Sequence, residues 1–238
     1  MENRNLLVLA GGFGTRLRSA VSDVPKVLAP VAGKPFLHYL MDGWLAQGVT
    51  QLTFLLHHQA DMVDAFLNLP TSADRFADCK VYRSIEPRPL GTGGAISHAV
   101  LHLGVTGAFL VANADTWLGS GIAQLASTSA PAMGIVQVDN SERYGAVGVQ
   151  DGKVVFFAEK QDSAGPGWIN AGLYQLHADL FQNWDGQPFS LERDLFPKLV
   201  ADGRMHAAQL ETEFIDIGIP DDYYRFGRWI DSGKSGVL

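Results

Sequence analysis

The stretch LVLAGGFGTRLRSAVSDVPKVLAPVAGKP, Leu7 to Pro35, starts as a buried strand and passes at once into a glycine-rich, basic loop. A strand of Leu6, Leu7, Val8, Leu9 and Ala10 that stops at Gly11 and Gly12 reads as a phosphate-receiving edge at the carboxyl end of an α/β sheet. Gly11, Gly12 and Gly14 carry no side chain to keep their N–H groups from a polyanion, and Thr15, Arg16 and Lys26 add donors and positive charge. These features point to a nucleoside triphosphate; a plain tight turn is the alternative.

Two commoner glycine loops do not match. A Walker A loop needs GxxxxGK followed by Ser or Thr, whereas Lys34 is followed by Pro35. A dinucleotide fingerprint predicts a helix running straight on from the glycines and an acid closing the second strand, yet Leu52 to Leu56 leads into His57 and His58.

At 238 residues and 47% hydrophobic, the chain suits one catalytic domain, with residues 1–130 mainly for the nucleotide and 131–238 mainly for the second substrate. The single cysteine, Cys79, allows no intrachain disulfide. The polar start, the short apolar run after it and the lack of a membrane-spanning stretch lead to the expectation of a soluble, cytoplasmic protein. A net charge of -7 disfavours a broad nucleic-acid surface, so a phosphorylated substrate needs local cations and a metal ion. Arg4, Arg16, Arg18, Lys26 and Lys34 all fall in the first 34 residues.

Apolar runs predict strands at 6–10, 52–56, 79–84 and 108–112, with helices at 35–47, 60–68, 93–103 and 120–127. This is βαβ logic, and it gives an α/β fold with a mostly parallel sheet flanked by helices on both faces. After Pro131 the pattern turns to strands at 132–138, 144–149, 153–158 and 169–176, with a hairpin signal at Asp151–Gly152. A polar loop at 161–167 could close over a substrate. A helix at 190–200, a strand ending FIDIG and a helix at 221–230 finish the chain.

Asp115 closes the run AFLVANAD, at the sheet edge where the glycine loop also points, and Asp216 in FIDIG repeats the arrangement. The pair suits one Mg²⁺, since hard oxygens bind a hard cation that bridges to phosphates; a helix cap is the alternative for Asp115. In SIEPRPLGTGGAISHA, Glu86 precedes Gly91, Thr92, Gly93 and Gly94 at a helix start. Such a loop can press its backbone against a base edge, and one carboxylate can take the adjacent N–H and amino groups of guanine; a surface Glu86 is the bland reading. Glu159, Lys160 and Asn170 sit at strand positions where a lysine could pair with a sugar phosphate and the others could read sugar hydroxyls. On residues alone, a surface ion pair is the simpler account of Glu159 and Lys160. His57, His58, His98 and His102 lack zinc spacing, no serine or cysteine has a triad context, and Trp44, Phe54 and Phe66 read as core.

From Leu7 to about Gly227 the chain resembles the sugar-phosphate nucleotidyltransferases, through GGFGTRL followed by the Pro25–Lys26 pair. The segments EPRPLGTGGAI, SERYGAVGV, INAGLYQL and FIDIGIPDDYYRF resemble the short bacterial members that attach GMP to D-glycero-α-D-manno-heptose 1-phosphate. The resemblance implies a glycosyltransferase-A-like, Rossmann-like fold with a small β-rich sugar-binding part. It implies that Leu9, Ala10, the glycine loop, Thr15 and Arg16 wrap GTP, that Glu86 and Gly91 to Gly93 frame the base, and that Asp115 and Asp216 hold Mg²⁺. It further implies that Lys26 reaches both the α-phosphate of GTP and the sugar 1-phosphate, so that Arg16 and Lys26 are the catalytic cations, that Asp115 also meets the nucleotide, that Lys160 holds the sugar 1-phosphate, and that Glu159, Asn170 and Gly145 meet the sugar. The oligomeric state stays open, a homodimer being one form. Ala114 departs from the usual glycine. The rival readings are another triphosphate such as UTP with a hexose 1-phosphate, a silent nucleotidyltransferase-like subunit, and, more distantly, a dinucleotide-dependent oxidoreductase.

Overall fold

The computed structural model describes residues 4–158 and 165–233. In chain order its elements begin with β1 (Asn5–Leu9), the hairpin β2 (Pro30–Val31) and β3 (Lys34–Pro35), α1 (Phe36–Ala46), β4 (Gln51–Leu56), α2 (Ala60–Leu67) and α3 (Pro70–Arg75). They continue with β5 (Lys80–Ile85), α4 (Gly91–Leu103), β6 (Ala108–Asn113), β7 (Thr116–Leu118), α5 (Ile122–Ser127), β8 (Ala132–Val138), β9 (Ala146–Gln150) and β10 (Lys153–Ala158). β11 (Gly167–His177), a π-helical turn at Leu191–Leu195, α6 (Phe196–Ala201), β12 (His206–Gln209), β13 (Phe214–Asp216) and α7 (Pro220–Asp231) complete the set.

Nine strands form one sheet in the order β5-β4-β1-β6-β11-β8-β12-β10-β9. The first four are mutually parallel, and only β11 and β10 run against the rest, so the sheet is mostly parallel and mixed. Alternation along β1 explains the double-sided core: Leu6 and Val8 pack with Phe36, Leu40 and Phe54 on one face, whereas Leu7 packs with Leu55, Ile96 and Val111 on the other. Trp44 and Phe54 are buried as expected, and Phe66 packs against the same cluster half-buried.

Several elements differ from the expectation for local reasons. The strand expected from 144 starts at Ala146, because Tyr144 N–H closes a turn onto Ser141 O at 2.9 Å. The helix expected over 190–200 is a π turn leading into α6, since Pro197 has no N–H and its ring excludes a regular α turn before it. The FIDIG strand lies outside the main sheet and pairs with β7, which the sequence reading did not anticipate; nor did it anticipate α3, β12 or the β2–β3 hairpin.

The start of α4 positions the site and depends on Phe189. The Phe189 carbonyl accepts from Gly93 N–H at 3.0 Å and Gly94 N–H at 3.3 Å, satisfying donors that a helix leaves open at its N-terminus. Gly91 has φ +73°, and a Cβ there would meet Phe189 O at 2.5 Å. Gly91→Ala should therefore lower folding stability by about 1–2 kcal/mol from the backbone conformation alone. An unchanged midpoint in urea unfolding would refute this account of the glycine.

Candidate active site

Two adjoining cavities open beyond the carboxyl ends of β1 and β6, sharing Leu9, Gly12 and Asp115. The first, about 200 Å³, is lined by Ala10, Gly14, Thr15, Arg16, Lys26, Ala114 and Gly218 in addition to shared residues. The second, about 310 Å³, is more apolar and includes Leu55, Leu90 and Ala95 together with Phe13, His57, Glu86, Gly91, Thr92 and Asn113.

The charged centre forms where three distant segments meet. Lys26 Nζ lies 2.6 Å from Asp115 Oδ2 and 3.9 Å from Asp216 Oδ1. Gly14 makes this possible: it adopts φ +57°, and a Cβ on it would press on Lys26 Cβ at 3.0 Å. β13 brings in the second aspartate, since its register sets Asp216 opposite Thr116, and Ile217 N–H donates to Asp115 O at 2.9 Å. Thr116 Oγ1 donates to Asp115 Oδ1 at 3.2 Å, and Gly218 N–H to Asp216 Oδ1 at 2.6 Å.

Electrostatics separate the two acids. Burial works to raise the Asp115 carboxyl, but the Lys26 charge and the hydrogen bonds from Lys26 and Thr116 outweigh it and hold the group below the usual range. Asp216 is raised to about 6, first by burial and then by the Asp115 carboxylate, against opposition from Lys26. Two carboxylates thus crowd one cation. Arg16 stays exposed on the first cavity; its charge reaches Asp216 without a close ion pair to a described carboxylate, so its guanidinium can still meet an incoming anion. Other early cations are spent elsewhere: Arg4 Nη1 donates to Gln47 O at 2.6 Å, and Lys34 lies over the Tyr39 ring.

In the apolar cavity Glu86 is 8% exposed. Its Oε2 accepts from Leu90 N–H at 2.8 Å, and its Oε1 lies beside Gly11, where an added Cβ would stand 3.1 Å away. Burial raises the Glu86 carboxyl, against the Leu90 hydrogen bond and nearby His57. Gly91 and Thr92 line this cavity, but Gly93 does not: it packs beneath the Phe189 ring, and its N–H is spent on the Phe189 carbonyl. Thr92 Oγ1 donates to Glu192 Oε2 and accepts from Leu191 N–H, both at 2.8 Å, tying the base side to the π turn.

On the far side, Asn170 N–H donates to Gly145 O at 3.2 Å, so these two expected sugar contacts are neighbours. The Asn170 side chain supports a bulge in β11, with Nδ2 donating to Tyr174 Oη at 2.8 Å and Oδ1 accepting from Gly172 N–H at 2.9 Å. Glu159 and Lys160 lie outside the described residues. Ala114 fits without the usual glycine: its buried side chain lines the first cavity, while its N–H donates to Leu9 O at 3.2 Å.

Asn113, Thr116 and Phe13 carry no signal in the sequence reading. His57, which lacks zinc spacing and reads as structural with a ligand contact as the alternative, lines the second cavity, and its Nδ1 lies 3.2 Å from Glu86 O. The available signal was position: His57 follows β4 at the same sheet edge as Gly11 and Asp115. His98 is structural as expected, on α4 with Nδ1 3.0 Å from Ser84 Oγ.

A family model described as nucleotidyl transferase matches residues 5–232. The D-glycero-α-D-manno-heptose 1-phosphate guanylyltransferase of Campylobacter jejuni is 33% identical over 225 residues, covering 92% of this chain and 97% of that protein. The enzyme of the same name from Aneurinibacillus thermoaerophilus is 32% identical, covering 91% and 94%. The crystal structure of HddC from Yersinia pseudotuberculosis superposes with a TM-score of 0.83 at 35% identity, covering 95% of this chain and 99% of that one, and HddC is also solved complexed with GMP-PN. The chain belongs to the sugar-nucleotidyltransferase family, close to the D-glycero-D-manno-heptose 1-phosphate guanylyltransferases, and is an enzyme of sugar 1-phosphate nucleotidyl transfer.

Proposed function

We propose that the protein transfers GMP from GTP to D-glycero-α-D-manno-heptose 1-phosphate, releasing pyrophosphate. The observation that carries the base assignment is the buried Glu86 carboxylate in an apolar cavity continuous with the Lys26–Asp115–Asp216 centre. Among the common bases, guanine offers an N–H and an amino group side by side, and one carboxylate can accept from both. The guanylyltransferase and heptose names of the relatives support the same reading.

The acceptor oxygen of a sugar 1-phosphate is already anionic, so the reaction needs no general base. It attacks the α-phosphorus in line, forming the new P–O bond as the bond to pyrophosphate breaks and its electron pair leaves with that group. The chain must bring two repelling anions together. The glycine loop presents N–H groups to the triphosphate, Arg16 adds a free guanidinium, and Lys26 balances charge between the α-phosphate and the sugar phosphate. Lys160 holds the sugar phosphate in this reading, with Glu159, Asn170 and Gly145 on the sugar. Residues 1–130 then serve mainly the nucleotide and 131–238 mainly the sugar phosphate.

The donor set fits Mg²⁺. Asp115 and Asp216 converge, and a divalent charge would offset both the burial and the Asp115 repulsion that together raise Asp216 to about 6. Among the described residues no three His, Cys, Asp or Glu side chains cluster, so phosphates and water would complete the shell. When bound, the ion would neutralise phosphate charge at the reacting centre.

The direct test offers GTP, ATP, UTP, CTP and dTTP with heptose 1-phosphate and measures pyrophosphate. GTP should be strongly preferred, and equal or better use of UTP would overturn the assignment. Lys26→Ala should lower turnover on the order of 10²–10³-fold with a smaller loss of GTP affinity. Equal losses in the two measurements would contradict its role between both phosphates. The guanine contact needs Glu86 ionised, so GTP-analogue affinity should fall as pH drops through the Glu86 pKa, which burial places above the ordinary carboxylate value. Glu86→Gln should remove that pH dependence and weaken binding by about 1.5–3 kcal/mol; titration calorimetry of both proteins across pH reads both effects.

A further inference from the structure

A third cavity of about 400 Å³ lies outside the two already described. Its walls are the end of β8 at Gln137 and Asp139, the turn carrying Arg143 and Tyr144, Phe214 on β13, and Arg225 on α7. It adjoins the acceptor side of the cleft in two places. Tyr144 precedes Gly145, which is bonded to Asn170. Phe214 and Asp216, two apart on β13, face the same way by strand alternation, about 7 Å from one another along the strand.

The chemistry of the walls is specific. Asp222, 5% exposed, accepts from Arg143 Nη2 at 2.5 Å and forms an ion pair with Arg225 Nη2 at 2.9 Å, so two guanidinium groups share one carboxylate. Both arginine side chains remain more than 40% exposed, Arg143 stacks on Tyr144 and Arg225 on Trp229, and no described residue accepts from Arg143 Nε or Nη1. Donors tied to Asp222 thus share the cavity lining with Asp139 and Gln137, which supply acceptors. Donors and acceptors side by side match hydroxyl groups, which do both, better than a phosphate, which only accepts.

We infer that this cavity receives the exocyclic hydroxyl-bearing chain of the sugar 1-phosphate and is where the enzyme distinguishes a heptose from a hexose. The inference rests on the heptose reading above. A manno-heptose carries one more CHOH unit in that chain than mannose, with the pyranose ring unchanged. Arg143 and Arg225 would donate to the terminal hydroxyls and Asp139 would accept from them, while Asp222 acts as a positioning residue that fixes both arginines.

The test compares kcat/KM for D-glycero-α-D-manno-heptose 1-phosphate and α-D-mannose 1-phosphate, with GTP, in wild type, Arg225→Lys and Asp139→Ala. Arg225→Lys keeps a charge for Asp222 but loses the planar fork, and Asp139 is exposed on the wall, so the second variant remains informative if the first fails to fold. Each folded variant should reduce the heptose-over-mannose ratio by about tenfold or more, as expected where a site is built to bind a hydroxyl. An unchanged ratio in a wild type and variants that all prefer heptose overturns the cavity's role alone. Equal losses on both sugars also overturn it, since they mark a structural contribution. A wild type that uses mannose 1-phosphate as well as heptose 1-phosphate overturns this inference and the heptose reading together.

Discussion

The β7–β13 ladder holds Asp216 opposite Thr116 and therefore beside Asp115, and Lys26 spans the two carboxylates. Each partner alone would be poorly placed: a partly buried pair of like charges repels, and an ammonium withdrawn from water needs counter-charge. Together they form one charged centre at the carboxyl edge of the sheet. Its geometry is set by backbone bonds, chiefly Ile217 N–H to Asp115 O, so the side chains are placed before substrate arrives.

The base side is organised by a different device. Phe189, from the loop before the π turn, caps α4 with its carbonyl and lays its ring over Gly93, while Thr92 bonds to Glu192 and Leu191. These links join the apolar cavity to the second half of the chain. The glycines at 91, 93 and 94 serve this packing, and Glu86 with the apolar walls of Leu9, Leu55 and Leu90 is left to face the ligand.

Much of this was legible in the sequence because strand ends carry their own punctuation. β1 closes on Gly11 and Gly12, β6 on Asn113 to Asp115, and β13 on Asp216, each apolar run ending in a residue that has no place in a core. The β4 end was equally informative, but His57 follows a strand with no glycine or acid and lacks the spacing of a metal ligand, so it carries little signal of its own. Gly93 shows the opposite case. A glycine in the first turn of a helix looks the same in the sequence whether it meets a ligand or an aromatic ring from a distant segment.

Periodicity, glycine placement and terminal carboxylates determined the α/β class and marked the glycine loop, Lys26, Asp115, Asp216 and Glu86 as candidates, because each mark rests on properties of a few consecutive residues. Tertiary structure alone decided that β13 leaves the main sheet for β7, that Phe189 occupies the α4 N-terminus, and that Arg143 and Arg225 share Asp222. Those are pairings between segments far apart in the chain. The free energy that selects them comes from burial and hydrogen bonding realised only after the sheet has closed.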